Sequence, residues 1–107
     1  GFKWIDVDNK NNNIFIYQRM SENQKFIIVL NFSNKRYKDF RMGIEKNSIV
    51  KEVLNSDLDI YFGSNITNVN ALFTNEIPCN NLNFSVKFDI APFSGIVFEV
   101  IEIKSTK

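Results

Sequence analysis

The sequence predicts an all-β fold, an antiparallel two-sheet β-sandwich of roughly seven to eight strands joined in Greek-key fashion. Three observations carry this expectation. Apolar and polar residues alternate over short runs, and polar turn-forming segments separate those runs at hairpin spacing. No stretch sustains the i, i+3, i+4 apolar stripe of a helix longer than a turn or two. A small barrel is the alternative arrangement of the same strands. A chain of 107 residues has the size of one domain with one core, so a single sandwich over residues 1–107 is expected.

Residues 1–13 hold no convincing strand. Ile14 to Met20 and Lys25 to Phe32 are rich in β-branched and aromatic residues and are joined by Ser21-Glu22-Asn23-Gln24, so they are expected to pair as a hairpin. Phe40, Met42 and Ile44 alternate with Arg41 and Gly43, and Ile49 to Leu54 follows Glu45-Lys46-Asn47-Ser48, which reads as a second hairpin. Residues 55–70 are polar and asparagine-rich and read as a long loop with a short edge strand at Asp59 to Phe62. Leu82, Phe84, Val86 and Phe88 alternate with Asn83, Ser85, Lys87 and Asp89, the pattern of a half-buried strand. Ala91-Pro92-Phe93-Ser94-Gly95 has turn chemistry, and the nearly continuous apolar run from Gly95 to Ile103 predicts a central strand buried on both faces.

Composition narrows the function classes. Hydrophobic residues make up 44% of the chain and include eleven Phe, which supplies a core and argues against disorder. Thirteen basic and twelve acidic residues are interspersed for a net charge of +1, so no field exists to attract nucleic acid or an anionic bilayer. The longest apolar run, Phe26 to Leu30, falls far short of the ~20 residues of a membrane span, and no charged-then-apolar leader is visible. Cys79 is the sole cysteine, which excludes an internal disulfide and fits a reducing, cytoplasmic setting. Neither nucleic acid nor a membrane is expected as a partner. The abundance of Asn, Ile, Lys and Phe is what an A+T-rich genome produces, so the asparagine clusters need no functional reading.

The catalytic inventory is thin. With no histidine, Ser/His/Asp and Cys/His arrangements cannot be assembled, and the four glycines form no phosphate-binding loop. Glycoside chemistry needs two carboxylates facing across a cleft, ~5–5.5 Å apart in a retaining enzyme. Here nearly every acid sits beside a turn or on the polar face of an expected strand. Asn55, Asp57 and Asp59 alternate like calcium ligands, but Ile60, Tyr61 and Phe62 follow where an EF-hand loop needs other residues, so turn residues bonding their own backbone are the better reading. No catalytic residue, metal site or cofactor is expected. Lys35, Arg36, Lys38 and Arg41 form one basic cluster and read as a solvated hairpin flank. Trp4, Tyr17, Tyr37, Tyr61 and Phe62 are the aromatics that could stack on sugar rings. For Tyr17 and Tyr37, packing is the better reading. Trp4 precedes the first convincing strand and is expected to dock against something outside the sandwich.

Six short segments stand in order along the chain: Gly1-Phe2-Lys3-Trp4-Ile5, Asn31-Phe32-Ser33, Phe40-Arg41-Met42-Gly43-Ile44, Glu52-Val53-Leu54-Asn55-Ser56-Asp57, Tyr61-Phe62-Gly63-Ser64-Asn65 and Ile90-Ala91-Pro92-Phe93-Ser94-Gly95. In order and spacing they resemble the C-terminal β-domain of bacterial 1,4-α-glucan (glycogen) branching enzymes, members of the α-amylase superfamily. Two departures stand out: Phe40 replaces a usual Tyr, and the family's Tyr-Gly-Gly-Ser-Gly loop has lost two glycines at Phe62 and Asn65. The resemblance implies a β-sandwich that follows a catalytic (β/α)8 barrel in a parent enzyme. That parent would cut an α-1,4 glucan and rejoin it through an α-1,6 link by retaining double displacement, with its aspartate nucleophile and glutamic acid/base on the barrel. The chain is then an accessory structural domain. Residues 1–13 form its interdomain junction, and Phe2, Trp4, Asp57, Tyr61 and Phe62 are candidate contacts to the barrel or to α-glucan. A glucan-binding sandwich using Trp4, Tyr61 and Phe62, or the C-terminal domain of another α-amylase relative, are the alternatives.

Overall fold

A computed structural model describes residues 13–56 and 71–104 and the backbone of 2–6. Eight strands form among these residues: β1 (Phe2–Asp6), β2 (Ile14–Ser21), β3 (Gln24–Asn31), β4 (Tyr37–Ile44), β5 (Ser48–Asn55), β6 (Leu72–Phe73), β7 (Phe84–Ile90) and β8 (Ser94–Glu102). They make a six-stranded sheet in the order β1-β2-β3-β8-β5-β6 and a two-stranded sheet of β4 and β7. Every pairing is antiparallel. The expected all-β sandwich is the fold.

The β2–β3 hairpin forms as the turn tetrad predicts, with Ser21 paired to Gln24 across Glu22-Asn23. Glu22 takes the left-handed conformation there, with φ 55°. Strand alternation then sorts side chains between two faces. Ile14 and Ile16 of β2, Ile27 and Val29 of β3, Val50 of β5, and Ile96 and Phe98 of β8 turn inward and are buried. Against them pack Met42 and Ile44 of β4 and Val86, Phe88 and Ile90 of β7. The rings of Phe88 and Phe98 meet edge-on at 5.0 Å between the two sheets, and Phe40 continues the contact to Phe88 at 5.7 Å. Edge-to-face geometry of this kind adds ~0.5–1.5 kcal/mol per pair beyond area burial.

Three expectations are corrected. Residues 2–6 form strand β1 on the edge of the large sheet, where the sequence shows no strand pattern. Strands β4 and β5 are not a hairpin: β4 pairs with β7 in the small sheet, and β5 pairs with β8 and β6 in the large one. Glu45, Lys46 and Asn47 therefore arch from one sheet to the other. The arch is pinned on the large-sheet side, where Ile103 N donates to Asn47 O (2.9 Å) and Ser48 N to Thr74 Oγ1 (3.0 Å). Finally, β8 is central as expected, between β3 and β5, but only its inner face is buried; Gly95, Val97 and Glu99 on the other face are half-exposed. The expected edge strand at Asp59 to Phe62 lies outside the described residues.

Candidate functional site

Two regions stand out from regular strand packing. The first is one end of the sandwich, where three sequence landmarks far apart in the chain are tied together. Asn31, at the end of β3, is 1% exposed. Its Nδ2 donates to Lys35 O (2.9 Å) and Ala91 O (2.8 Å), and its Oδ1 accepts from Ser33 N (2.9 Å) and Ser33 Oγ (2.7 Å). Phe93 N donates to Ser33 O (3.0 Å), and Ser94 Oγ to Ala91 O (2.8 Å). Beside this, Ser56 N donates to Gly95 O (3.0 Å) and Gly95 N to Ser56 Oγ (2.8 Å).

The Glu52–Ser56 landmark is built around a β-bulge. Lys51 pairs with Glu99 and Glu52 with Phe98, but Leu54 pairs with Val97, so Val53 is an extra residue. The bulge resets the alternation: Asn55 turns into the core, 1% exposed, and Leu54 turns outward, 50% exposed. Asn55 Nδ2 donates to Glu52 Oε1 (2.9 Å) across the bulge. Gly43, in the Phe40–Ile44 landmark, donates its N–H to Asn80 Oδ1 (2.8 Å), and a Cβ there would overlap the carbonyl oxygen of Cys79. The landmarks are thus positions where the backbone is bent or closely approached.

The second region is the outer face of the six-stranded sheet. Directly paired residues share a face, so the register defines rows across it. Tyr17, Ile28, Val97 and Leu54 form one row, and Trp4 stands opposite Tyr17 at its edge. Phe15, Leu30 and Gly95 form the next. Between these rows lies an open groove of about 440 Å³ walled by Ile28, Leu30, Leu54, Gly95 and Val97. The following row, Arg19, Phe26, Glu99 and Lys51, is mostly charged. A larger groove of about 660 Å³ opens at the opposite end, beside Gln18, Lys25, Glu45 and Glu102, and no aromatic ring of the described residues lines it.

Among the sequence-predicted contacts, Phe2 and Trp4 stand opposite Arg19 and Tyr17 in the β1–β2 ladder. Asp57, Tyr61 and Phe62 lie outside the described residues, as does most of the Asn55, Asp57, Asp59 series. Tyr17 and Tyr37 are half-buried, Tyr37 against Phe40 at 6.1 Å. The basic cluster does not converge: Arg36 faces Asp89 (3.5 Å) and Arg41 Nη1 donates to Ser85 Oγ (2.6 Å). Sequence reasoning missed Asn31 and Asn55 as buried organising residues, although both lie inside landmarks it quoted.

Residues 4–101 match the family described as alpha amylase, C-terminal all-beta domain. The chain belongs to this family. Curated relatives of this α-amylase C-terminal domain include 1,4-alpha-glucan branching enzyme GlgB 1 of Clostridium perfringens (strain 13 / Type A), 34% identical over all of this chain. They also include the branching enzymes of Cellvibrio japonicus (32% identical over 94% of the chain) and Salinibacter ruber (31% over 95%). The chain spans only 16%, 14% and 16% of these relatives, respectively. Among solved structures, isomaltulose synthase of Erwinia rhapontici NX5 superposes with a TM-score of 0.56 at 17% identity, over 94% of this chain and 14% of that one. Trehalulose synthase MutB of Pseudomonas mesoacidophila MX-45 gives 0.56 at 13% identity over the same shares. At such identities the likeness is one of fold.

Proposed function

We propose that this α-amylase C-terminal domain is the accessory, non-catalytic tail of a 1,4-α-glucan branching enzyme. The parent moves α-1,4 glucan segments to α-1,6 positions in cytoplasmic glycogen synthesis. The observation that carries the reading is the match to branching enzymes along the whole of this chain but only a sixth or less of theirs. In this reading the nucleophile and the acid/base stand on a (β/α)8 barrel of the same polypeptide. The sandwich supports that barrel; residues 1–13 lead into it from the barrel, with Phe2–Asp6 already its edge strand, and the long loop expected over 55–70 begins after β5 ends at Asn55. Phe2, Trp4, Asp57, Tyr61 and Phe62 are the proposed contacts. The landmark hydrogen bonds favour a structural role, because Asn31, Asn55 and Gly43 spend their polar groups on the domain's own backbone and side chains.

The test begins with the intact mass of the protein captured from its native cells, where a mass several times 12.5 kDa is expected. The captured protein is then given amylose, and debranched products are sized for new α-1,6 branches. A 12.5 kDa product, or a long chain that leaves amylose linear, rejects the reading.

A further inference from the structure

The six-stranded sheet is wider than the two strands packed on it, and one end of its inner face stands open among the described residues. Met20 pairs with Lys25, and Lys25 with Val100, so the three share that inner face. The row runs out from under the small sheet: Val100 is 7% exposed and Met20 41%. The groove of about 660 Å³ at this end is lined by the β2–β3 turn at Asn23 and Gln24 and by the intersheet arch at Glu45 and Lys46. Unlike the knot around Asn31, whose amide is spent within the domain, this end presents polar side chains to an open space.

We infer that this groove holds a segment of α-glucan chain; this rests on the branching-enzyme reading above. Its chemistry selects a neutral, hydroxyl-rich ligand. Among its described lining residues Lys25, Lys46 and Lys104 balance Glu45, Glu99 and Glu102, and Lys46 Nζ lies 3.9 Å from Glu102 Oε1, so no net field draws in a phosphate or a cation. The amides of Gln18, Asn23 and Gln24 each donate and accept, which is the pairing a sugar hydroxyl offers in return. Met20 and Ile101, each 41% exposed, supply apolar surface for the C–H faces of pyranose rings. The volume falls within the ~300–1,000 Å³ of small-ligand clefts, and because the groove is open, a chain can run through it. A glucan held here is kept at raised effective concentration for the rest of the parent polypeptide, so even a weak hold has an effect.

Carboxyl footprinting of the full-length parent tests the assignment. A carbodiimide couples an amine to accessible carboxylates, and peptide mass spectrometry reads each site with and without maltoheptaose. Glu45 and Glu102 report on the groove, and exposed Glu76, between β6 and β7, is the control. The inference expects saturating maltoheptaose to slow modification of Glu45 and Glu102 ~threefold or more, because only the free fraction reacts, and to leave Glu76 unchanged. Gln18→Leu, which removes one amide at similar volume, should abolish the protection; Gln24→Ala, at the exposed turn, serves if Gln18→Leu fails to fold. Unchanged rates at Glu45 and Glu102 overturn the inference, as do carboxylates already unreactive without sugar, which would mean that another part of the parent fills the groove. Protection that survives the substitutions, or equal protection by the same mass of sorbitol, also overturns it. Amylose branching by the unsubstituted parent is scored separately. Branching without protection rejects the groove and keeps the function; protection without branching keeps the groove and rejects the function.

Discussion

Asn31 brings no apolar surface to the core, yet it is as buried as the isoleucines around it. It stays there because all of its amide is used: two donations to carbonyls of separate loops and two acceptances from Ser33. Replacing it with Ala leaves the Ala91 carbonyl with Ser94 Oγ alone and loosens two turns at once, at a cost of ~1–3 kcal/mol. Urea denaturation of Asn31→Ala should show that loss as a lower midpoint; a shift under ~0.5 kcal/mol would mean water replaces the amide without penalty. Phe93 is the opposite case. It is 70% exposed and held at φ 47°, a conformation that disfavours bulky L-residues. Phe93→Gly is expected to raise stability by ~0.5–1 kcal/mol, the relief of the left-handed strain less the added freedom of the unfolded chain. Thermal or urea melts check the sign. These residue roles were only partly legible. Asparagine is abundant here, and composition alone cannot separate Asn31 and Asn55 from the solvated ones. What could separate them was their place inside short motifs that recur in order.

Strand β7 and the β2–β3 hairpin were readable because each shows its own alternation or turn chemistry locally. Strands β4 and β5 misled because a polar link between two apolar runs looks the same whether it folds back or arches between sheets. The deciding interactions, β4 with β7 and β5 with β8, are distant in sequence. Bulges hide for the same reason, since an extra residue is defined only by its partner strand. Deleting Val53 tests the bulge as an element. With the extra residue gone, Leu54 stays opposite Val97 and Asn55 opposite Ile96 in an uninterrupted ladder, so the domain should keep a near-native β-signal in circular dichroism. A lost β-signal would show that the bulge itself is required for the strand to fold. Gly43→Ala probes the crossing of β4 under the Cys79–Asn80 turn. The added methyl meets backbone, so ~1–3 kcal/mol of destabilisation is expected. The site was less legible than the fold. Trp4 stands out in the sequence as preceding any strand pattern, whereas it lies within β1, and the row opposite it is assembled from strands β2, β3, β8 and β5, whose register alone brings those residues side by side.

Among the described residues the domain is a lopsided sandwich, six strands against two, with a row of apolar residues on the outer face of the wider sheet. The proposed support of a barrel makes a prediction at that scale. Leu54→Glu in the parent should shorten the half-life of branching activity on heating and open the interdomain link to protease, while Lys87→Glu leaves both unchanged. Equal behaviour of the two variants would argue that the domain is a passive appendage. The same layout also orders events in time. Strand β8 is the last of the eight to leave the ribosome, yet it occupies the middle of the large sheet, between β3 and β5. Until it emerges, β3 has only β2 and β5 only β6 to pair with, and the apolar residues meant for the core wait in the open, exposed to aggregation and proteases. A message interrupted shortly before β8 would therefore yield a domain that fails as a whole, not one missing a margin. In a cell, that makes the closing of this sheet a check that translation has run past Glu102.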